Sequence, residues 1–594
     1  MVESLSQLTS VEYQVDKLIR GDKETIHENA NKDSKSFITQ RDLLAGQVSK
    51  AKGLYSLPID IAEAHTSGDI HFHDLNISPL TPMTNCCLLN VKDMLKDGFK
   101  MGNAEVEPPK SIGTAVAQIA QVILSVAGEQ FGGISIDKID VVLGGYAEMN
   151  YHKHLMDAEE WIEDKKKHKH YAQKKTQKDI YDALQGLEYE INTLCSTQGQ
   201  TPFVTIGFGL GESWFEREIQ KAILNVRKRG LGKEGRTAIF PKLIFVVKDG
   251  LNLKPSDVNY DIKQLAIECC SKRMYPDFVS YKMIEEITGS YKIPMGCRSW
   301  LHTWENEYGE VEIDGRMNLG VVTLNIVRIS LESESITQFW NIFENKSLIV
   351  KRALEERIKS VCSAEPSNAP ILYKQGGFGK KLKDDDNVSQ LFLDKRASIS
   401  FGYIGLYEVA SKFYGSNWET NKEAKKFTLD ILKRMKELCD EWGEEWDIGC
   451  SVYSTPSESL TDRFCKLDTK KFGIVKDITD KEYYTNSFHM DVRKKPNPFD
   501  KIEFEKDYPL YTHGGFIHFV ETANLQQNPK ALESIWDFAY DKVGYVGVNS
   551  PIDKCYECGF EGDFKSTSNG YECPTCGNNN PDTADVVKKL CGLK

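Results

Sequence analysis

Apolar residues along this 594-residue chain form short, nearly continuous runs that alternate with longer periodic stretches. The short runs are rich in β-branched and aromatic residues, and most are bounded by Gly, Pro or Asn, which predicts strands. These predicted strands lie at residues 201–208, 241–247, 320–329, 399–409 and 515–520. Apolar positions spaced three and four residues apart predict helices at residues 157–194, 337–361, 422–445 and 529–543.

Strands that alternate with helices are typical of an α/β fold with a mainly parallel sheet and helices outside it. The strand runs are apolar almost throughout, so we expect both faces of the sheet to be covered. Cys439 continues the apolar stripe of the helix predicted at 422–445, and we assign it to the core. No internal repeat and no Pro/Gly-rich linker precedes residue 545. The sequence therefore predicts one large domain followed by a small C-terminal appendix.

Composition and charge exclude some classes of function. Apolar residues make up 40% and charged residues 27% of the chain, which is ordinary for a globular protein. The net charge of -12 argues against a protein that binds nucleic-acid backbones directly. The first residues lack a basic segment followed by an apolar run, and no long apolar stretch occurs. We expect a cytoplasmic protein without a membrane anchor, in the host cytoplasm if the gene is phage-encoded.

The strongest chemical signal is a four-cysteine pattern near the C-terminus. The chain has 15 cysteines, which in a reducing compartment favour metal binding or thiol chemistry over disulfides. Two CxxC pairs, Cys555 with Cys558 and Cys573 with Cys576, have the spacing of a zinc ribbon. A zinc-ribbon protein that binds nucleic acid is an alternative. The acidic charge and the absence of interleaved basic and aromatic residues around 555–576 oppose it.

Three further cysteine contexts stand out: Asn85-Cys86-Cys87, the PMGCRS segment with Cys297, and Leu590-Cys591-Gly592. Cys297 lies in a turn-like segment rather than in an apolar period, which suits a displayed thiol. From the residues alone, a packed thiol is the alternative. His71 and His73 alternate at strand spacing, so both face one side. Without a third ligand in view, we favour the polar lining of a pocket over a metal pair.

Taken in order, the motifs of this chain resemble those of the large subunit of anaerobic (class III) ribonucleotide reductases, in particular the branch found in T-even phages. The resemblance starts near Glu28 and runs to the end of the chain. Its landmarks are ENANKDS at 28–34, TQRDLLAG at 39–46, GDIHFHD at 68–74, TNCC at 84–87, GQTPFVT at 199–205, PMGCRS at 294–299, NLGVVTLN at 318–325, YSTP at 453–456, YTNSFH at 484–489 and the cysteine ribbon.

The resemblance implies the family's fold, a ten-stranded α/β barrel of two antiparallel five-stranded halves with a finger loop through its centre. It divides the chain into a short extension at 1–27, a catalytic barrel at 28–544, a zinc ribbon at 545–580 and a glycyl radical loop at 581–594. By motif match, Cys297 at the finger-loop tip becomes a thiyl radical. Gly592 matches the position of the glycyl radical. In the family, a radical-SAM activating protein with an iron–sulfur cluster installs this radical. With only about 27 residues before the first landmark, we expect no ATP-cone and no on/off control by dATP.

For the reaction, the resemblance implies reduction of ribonucleoside triphosphates, with formate as the reductant. Cys86 matches the second cysteine, which supplies hydrogen to the sugar. Asn318 matches an amide that holds the 3′-hydroxyl. Met295 matches a thioether of the formate-oxidising subgroup.

Substrate-binding residues follow from the same resemblance. His71 and His73 are expected to line the substrate or formate pocket. Ser454 and Thr455 are expected to cradle phosphate at the N-terminus of a helix, where backbone N–H groups point at an anion. An ordinary N-cap is the alternative reading of these two residues.

The resemblance also implies a homodimer with an effector site at its interface, where a dNTP or ATP selects the substrate. The matching positions are Glu107, Lys110, Gln121 and Lys153. Solvated surface side chains are the alternative reading of these four residues.

The C-terminal loop departs from the family pattern R-x-C-G-Y-L-G. From residue 588 the sequence reads KKLCGLK, without the Tyr and the second Gly. We therefore expect a truncated radical loop; the alternatives are a fragment of a split reductase or a scaffold that binds nucleotides without a radical. Another type of glycyl radical enzyme shares the glycine and the thiol, but not the ribbon or the NLGVVTLN stretch.

Overall fold

The computed structural model describes residues 36–78, 82–194, 196, 199, 201–457, 459–567 and 570–587. Its helices, numbered in chain order, are α1 (Phe37–Ser56), α2 (Ile59–Ser67), α3 (Val91–Asp97), α4 (Ile112–Val126), α5 (Ile139–Trp161), α6 (Lys165–Thr193), α7 (Trp214–Arg229), α8 (Tyr260–Arg273), α9 (Tyr281–Thr288), α10 (Ile326–Glu332), α11 (Ile336–Cys362), α12 (Pro370–Tyr373), α13 (Leu406–Tyr414), α14 (Lys422–Trp446), α15 (Leu460–Phe472), α16 (Pro498–Glu505) and α17 (Pro529–Tyr540). Short 3₁₀ helices lie at Pro366–Asn368, Val388–Leu391, Val492–Lys494 and Tyr508–Leu510.

The strands are β1 (Ile70–Phe72), β2 (Cys86–Leu88), β3 (Phe99–Met101), β4 (Ala104–Val106), β5 (Ile134–Ile136), β6 (Val204–Phe208), β7 (Lys242–Val247), β8 (Asp277–Ser280), β9 (Arg316–Leu324), β10 (Ser398–Tyr403), β11 (Gly449–Ser454), β12 (His518–Glu521), β13 (Tyr545–Asn549), β14 (Asp553–Cys555), β15 (Glu561–Gly562), β16 (Lys565–Thr567), β17 (Gly570–Glu572) and β18 (Ala584–Asp585).

The main sheet runs in the order β11-β10-β9-β2-β5-β6-β7-β8-β13-β12, with β1 added on β9. Strands β2, β5, β6, β7 and β8 are mutually parallel, and so are β9 to β11 and the pair β12 and β13. The pairs β2–β9 and β8–β13 are antiparallel. The sheet therefore consists of two parallel halves of five strands that run in opposite directions, which confirms the predicted α/β fold.

The two end strands of this path, β11 and β12, form no ladder with each other in the described part of the chain. A parallel bridge between Tyr453 and Gly515 joins β11 to the segment before β12. The Ser454 N–H also donates to the Gly515 carbonyl at 3.0 Å. The structure thus contains the ten predicted strands. The two end strands are joined through a bridge, so the ladders do not form a continuous ring.

Two predicted strands turn into helices before they end. The run at 320–329 leaves β9 at Asn325, whose side chain accepts from the Arg328 N–H and caps α10. The run at 399–409 leaves β10 at Gly405, whose φ of +81° starts α13. Both helices are buried, so their residues are as apolar as the strands before them, and the apolar run alone does not mark the boundary.

The helix predicted at 157–194 is two helices, α5 and α6. They are separated at residues 162–164, where Asp164 caps α6 through the Lys166 N–H. The predicted helices at 337–361, 422–445 and 529–543 correspond to α11, α14 and α17, and Cys439 is buried in the core as predicted. Helices α4 to α7 pack against one another, while α11 packs on β9 and α14 on β11.

The C-terminal appendix is built from short strands, with β15, β14 and β18 in one sheet and β16 and β17 in another. The sequence placed its start at 545, but Tyr545–Asn549 forms β13 of the main sheet, and the first strand of the appendix begins at Asp553. No helix in the described ranges is long and apolar enough to cross a membrane.

Candidate functional site

The segment 294–299 between β8 and β9 is held by side chains from three neighbouring strands. Ser135 on β5, Thr205 on β6 and Lys242 on β7 each donate to a carbonyl of this segment, at 2.9, 3.0 and 2.8 Å respectively. The carbonyl that Lys242 contacts is that of Cys297. The parallel sheet therefore fixes the position of the predicted radical cysteine.

The tip of this segment is a tight turn closed by hydrogen bonds between the backbones of Met295 and Ser299, at 2.7 and 3.2 Å. Gly296 within the turn has a φ of +57°, a conformation that favours glycine. A Cβ on Gly133 would lie 2.3 Å from the Gly296 Cα, so position 133 also requires glycine. Met295, the predicted thioether, is fully buried beside the turn.

Cys297 and Cys86 lie close to each other. The Cys297 side chain is buried, and its Sγ is 3.9 Å from the Tyr453 hydroxyl on β11. Burial raises the pKa of the Cys86 thiol well above its ordinary value, and the nearby Cys297 adds to this shift. Cys86 therefore keeps its hydrogen at neutral pH.

The hydrogen-bond partners of Cys86 orient its thiol. Its Sγ donates to Asn85 Oδ1 at 2.7 Å and accepts from the Gly133 N–H at 3.2 Å. The Asn85 amide in turn donates to Asp74 at 3.2 Å. A neutral, oriented thiol next to a second thiol suits the transfer of hydrogen atoms rather than protons.

Asn318 lies opposite Cys86 in the register of β2 and β9. It is buried, its Nδ2 donates to Ser400 Oγ at 2.9 Å, and its Oδ1 accepts from the Gly320 N–H at 2.9 Å. The amide is thus fixed at both ends, and Asn318 lies beside Cys86, which in turn lies near Cys297.

His71 and His73 form a compact cluster with a third histidine, His65. The rings of His71 and His73 are 4.4 Å apart in an edge-on arrangement, and those of His65 and His71 are 5.1 Å apart. Burial lowers the pKa of His65 and of His73 to about 3, so both rings are neutral. The sequence missed His65, because it lies on α2 outside the GDIHFHD motif.

A chain of hydroxyl groups links this cluster to the end of β11. His73 Nε2 bonds to Thr323 Oγ1 at 2.8 Å, and Thr323 Oγ1 bonds to Thr455 Oγ1 at 2.9 Å. Ser454 Oγ bonds to the Tyr403 hydroxyl at 2.9 Å. The hydroxyls of Ser454 and Thr455 are therefore engaged with protein groups.

Another set of buried polar groups lies beside the N-terminus of α15, which follows β11 in the chain. Ser457 Oγ, Thr461 Oγ1 and His489 Nε2 are buried and have no hydrogen-bond partner among the residues that the structure describes. Together with Asn486 and Tyr484 they line one cleft. Three unsatisfied buried polar atoms at a helix N-terminus are suited to an anionic ligand.

The four ribbon cysteines converge as predicted. Their sulfur atoms all lie within 4.8 Å of one another, with 3.6 Å between Cys555 and Cys576 and between Cys558 and Cys573. Tetrahedral coordination with metal–sulfur bonds of about 2.3 Å places sulfurs roughly 3.8 Å apart, so the arrangement fits a four-thiolate metal ion. In the part of the chain that the structure describes, it is the one group of three or more His, Cys, Asp or Glu residues whose ligand atoms all lie this close together.

The model of the family "Anaerobic ribonucleoside-triphosphate reductase" matches residues 28–593. The chain belongs to this family. It is 52% identical over 571 residues to the reductase of Escherichia coli K12, covering 96% of this chain and 80% of that protein. It is 48% identical over 592 residues to the reductase of Enterobacteria phage T4, covering 98% of this chain and 96% of that protein.

Solved structures agree on the fold. An anaerobic ribonucleotide reductase superposes with a TM-score of 0.65 at 17% identity, covering 98% of this chain and 88% of that one. The Thermotoga maritima enzyme in complex with dATP and CTP superposes with a TM-score of 0.63 at 17% identity, covering 96% and 91%. As a member of the family that matches residues 28–593, the chain is an oxidoreductase that reduces ribonucleoside triphosphates.

The predicted effector residues of the reductase are all on its surface: Glu107, Lys110, Gln121 and Lys153. The Ile112 N–H at the start of α4 donates to Asn150 Oδ1 in the middle of α5 at 3.0 Å, which places Lys110, just before α4, near the turn of α5 that carries Lys153. Gln121 lies more than two turns further along α4. The predicted radical position, Gly592, and its neighbour Cys591 lie outside the described residues.

Proposed function

We propose that this reductase works by thiyl radical chemistry at Cys297, with Cys86 and Asn318 acting on the ribose and formate as the reductant. The observation that carries the proposal is the meeting of a rigidly held Cys297 with a neutral Cys86 and a fixed Asn318 amide. The family's glycyl radical and its activating protein fit this chemistry, and Gly592 is the candidate position. We expect the reaction in the cytoplasm.

The proposed reaction balances atoms and electrons. The Cys297 thiyl takes the 3′-hydrogen of the ribonucleotide, which forms an S–H bond and leaves a radical at C3′. The 2′-hydroxyl then leaves as water, and Cys86 gives its hydrogen atom to C2′, which leaves a 3′-ketone and a Cys86 thiyl. Formate returns a hydrogen atom to Cys86 and an electron to the ketone, which takes up the proton, and Cys297 returns its hydrogen to C3′ and regenerates its thiyl. Formate gives up two electrons as it becomes carbon dioxide, so one ribonucleoside triphosphate, one formate and one proton yield one deoxyribonucleotide, carbon dioxide and water. Met295 beside Cys297 is proposed to assist the oxidation of formate.

Asn318 is proposed to hold the 3′-hydroxyl of the ribose. Its amide is already fixed by Ser400 and Gly320, so little freedom is lost when the sugar binds. His71 and His73, which are packed against each other next to this strand, are proposed to line the same pocket on the sugar or formate side.

The triphosphate is proposed to bind at the N-terminus of α15. Ser457 Oγ and Thr461 Oγ1 supply donors, and the positive end of the 13-residue helix favours an anion. Ser454 and Thr455 shape this end of β11 rather than donate their hydroxyls, because those hydroxyls are bound to Tyr403 and Thr323.

We propose a homodimer formed through α4 and α5, with a dNTP or ATP effector near Lys110 and Lys153. Three apolar side chains are exposed on one side of α5: Val141, Met149 and Met156. An exposed apolar stripe on one helix suits a partner subunit, and the two lysines suit the phosphates of an effector.

The ion of the four-cysteine cluster is proposed to be structural zinc, which would hold the ribbon together.

The test is an anaerobic incubation with a radical-SAM activase, S-adenosylmethionine, a reductant, formate and a ribonucleoside triphosphate. We expect a glycyl doublet in the electron paramagnetic resonance spectrum that disappears in Gly592→Ala. Cys297→Ser should keep the doublet and the bound zinc but form no deoxynucleotide. Deoxynucleotide formation by Cys297→Ser would refute the assignment. Nucleotide binding without any doublet, beside an active control reductase, would instead support a scaffold or a fragment of a split enzyme.

A further inference from the structure

Lys242 is a buried charged residue whose ammonium reaches the radical cysteine. Its side chain is only 6% exposed, and its Nζ donates to the Cys297 carbonyl at 2.8 Å. Asp277 on β8 holds the ammonium from the other side, with 3.6 Å between Nζ and Oδ2. The Tyr545 hydroxyl on β13 donates to the same Asp277 oxygen at 3.0 Å. Three adjacent strands thus supply one chain of contacts that ends on Cys297.

This arrangement is costly as a stability device. Removing two charges from water carries a desolvation penalty that the ion pair often fails to recover, and apolar residues of similar volume are commonly as good or better. Burial keeps Tyr545 protonated by raising the pKa of its hydroxyl well above the ordinary value. The hydroxyl therefore remains a donor to Asp277 at neutral pH.

Two other side-chain donors of the sheet that bond to carbonyls of this segment are neutral. Ser135 and Thr205 hold the carbonyls of Pro294 and Gly296 through their hydroxyl groups. Of these three donors only Lys242 carries an ammonium. It bonds to the carbonyl of Cys297, whose sulfur must approach a C–H bond of the substrate. Hydrogen bonds from charged donors are stronger than neutral ones, so this bond restricts Cys297 most.

We infer that Lys242, held by Asp277 and Tyr545, is the positioning residue that fixes Cys297 for abstraction of the 3′-hydrogen. The inference rests on the proposed function. Because the transfer of a hydrogen atom depends steeply on the distance between the sulfur and C3′, loss of this bond slows that one step. Binding of the triphosphate, which is proposed to occur at α15, is left unchanged.

The test compares Lys242→Met with Lys263→Met in the activated full-length enzyme. Lys263 is a matched control, since its buried ammonium also donates to a backbone carbonyl, that of Leu253 at 2.7 Å, and to an aspartate, Asp537 at 2.6 Å. Neither of those partners lies in segment 294–299. For each variant, turnover is measured with protiated and with 3′-deuterated ribonucleoside triphosphate.

For Lys242→Met we expect kcat to fall on the order of 100-fold, KM for the nucleotide to stay within about threefold, and the 3′-deuterium isotope effect to increase. The isotope effect increases because hydrogen abstraction becomes the slowest step. Lys263→Met should keep the wild-type isotope effect. Lys242→Arg, which keeps a charged donor, should give an intermediate value.

An unchanged isotope effect in Lys242→Met would overturn the inference, even if kcat falls, because a lower fraction of folded enzyme reduces turnover without altering that ratio. If Lys242→Met does not fold, Tyr545→Phe removes only the hydroxyl that holds Asp277 and should increase the isotope effect by a smaller amount; no increase in that variant would likewise overturn it. A wild-type enzyme that forms no deoxynucleotide would refute the proposed function itself, and this inference with it.

Discussion

Individual side chains of the candidate site are kept neutral by burial. Burial raises the pKa of the Cys86 thiol well above its usual range and the pKa of Cys87 to about 12, while it lowers the pKa of His65 and His73 to about 3. Neutral thiols carry the hydrogen atoms that radical transfer needs, whereas thiolates do not. At the residue scale, therefore, the exclusion of water from the site is itself part of the proposed chemistry.

A buried carboxyl at the base of the same segment predicts a pH dependence of stability. Burial raises the pKa of Asp137 to about 7, and the Tyr291 hydroxyl donates to its Oδ1 at 3.0 Å. Between about pH 4 and pH 7 the folded protein holds a proton that the unfolded chain releases. The contribution of this group to stability is therefore present at low pH and lost as pH rises through this window.

We expect Asp137→Asn to flatten that dependence, because the amide stays neutral in both states. The measurement is the free energy of unfolding by urea at pH 5.5 and at pH 8, for the wild type and the variant. Asp97→Asn, which alters a half-exposed carboxylate, is the control and should keep the wild-type difference. Equal pH differences in the wild type and Asp137→Asn would contradict the assignment.

At the scale of elements, the sequence predicts the strands and helices that depend on a local pattern. It misses the features that depend on contacts between distant strands. β6, β7, α11 and α14 follow from apolar runs and helical periods, because each is covered by the rest of the fold. The change from strand to buried helix at Asn325 and Gly405 has no apolar signal, only a cap and a left-handed turn. Cys297, Cys86 and Asn318 were found through family motifs.

Other members of the site carry no signal in the sequence. Lys242 stands at the start of an apolar run, and its role depends on Asp277 and Tyr545, which are 35 or more residues away along the chain. Thr461 and His489 are ordinary residues of a helix and a loop until the fold places both against one cleft. Only the folded structure identifies these residues, either by a buried polar atom without a partner among the described residues or by a contact between strands.

The N-terminus of α15 gives a prediction about nucleotide binding. Thr461→Val keeps the shape of the side chain but removes a buried hydroxyl that has no hydrogen-bond partner within the described ranges. If that hydroxyl contacts the triphosphate, the dissociation constant for a ribonucleoside triphosphate should rise by about 10-fold or more, as for a hydrogen bond to a charged group. Isothermal titration with enzyme that has not been activated measures this directly.

Thr469→Val on the same helix is the matched control, because its hydroxyl donates to the Cys465 carbonyl within α15. That variant should bind the nucleotide as tightly as the wild type. Equal affinities for Thr461→Val and the wild type would place the triphosphate elsewhere.

At the scale of the whole molecule, the ribbon is docked on the loop that leads into β7. Arg236 donates to the Pro581 carbonyl at 3.0 Å and to the Asp582 carbonyl, and its guanidinium lies 5.4 Å from the centre of the Tyr556 ring. The Thr237 N–H donates to Asp585 at 3.0 Å. The same loop continues into Lys242, so the ribbon and the support of Cys297 share one connection.

Two variants separate holding the ribbon together from holding it on the barrel. Cys558→Ser removes one of four thiolates and should release the zinc, and the ribbon should unfold because it has little apolar core of its own. Arg236→Ala removes the dock and should leave one zinc per chain. The main sheet should stay folded in both variants, since its core is formed without the ribbon.

If docking positions the C-terminal loop, both variants should lower the yield of glycyl radical after activation, while only Cys558→Ser loses zinc. Zinc is measured by elemental analysis, folding of the barrel by thermal unfolding, and the radical by electron paramagnetic resonance. Full radical yield in Arg236→Ala would mean that an intact ribbon suffices without its dock. Retention of one tightly bound zinc in Cys558→Ser would contradict the four-thiolate site, because three thiolates leave one position of the tetrahedron open.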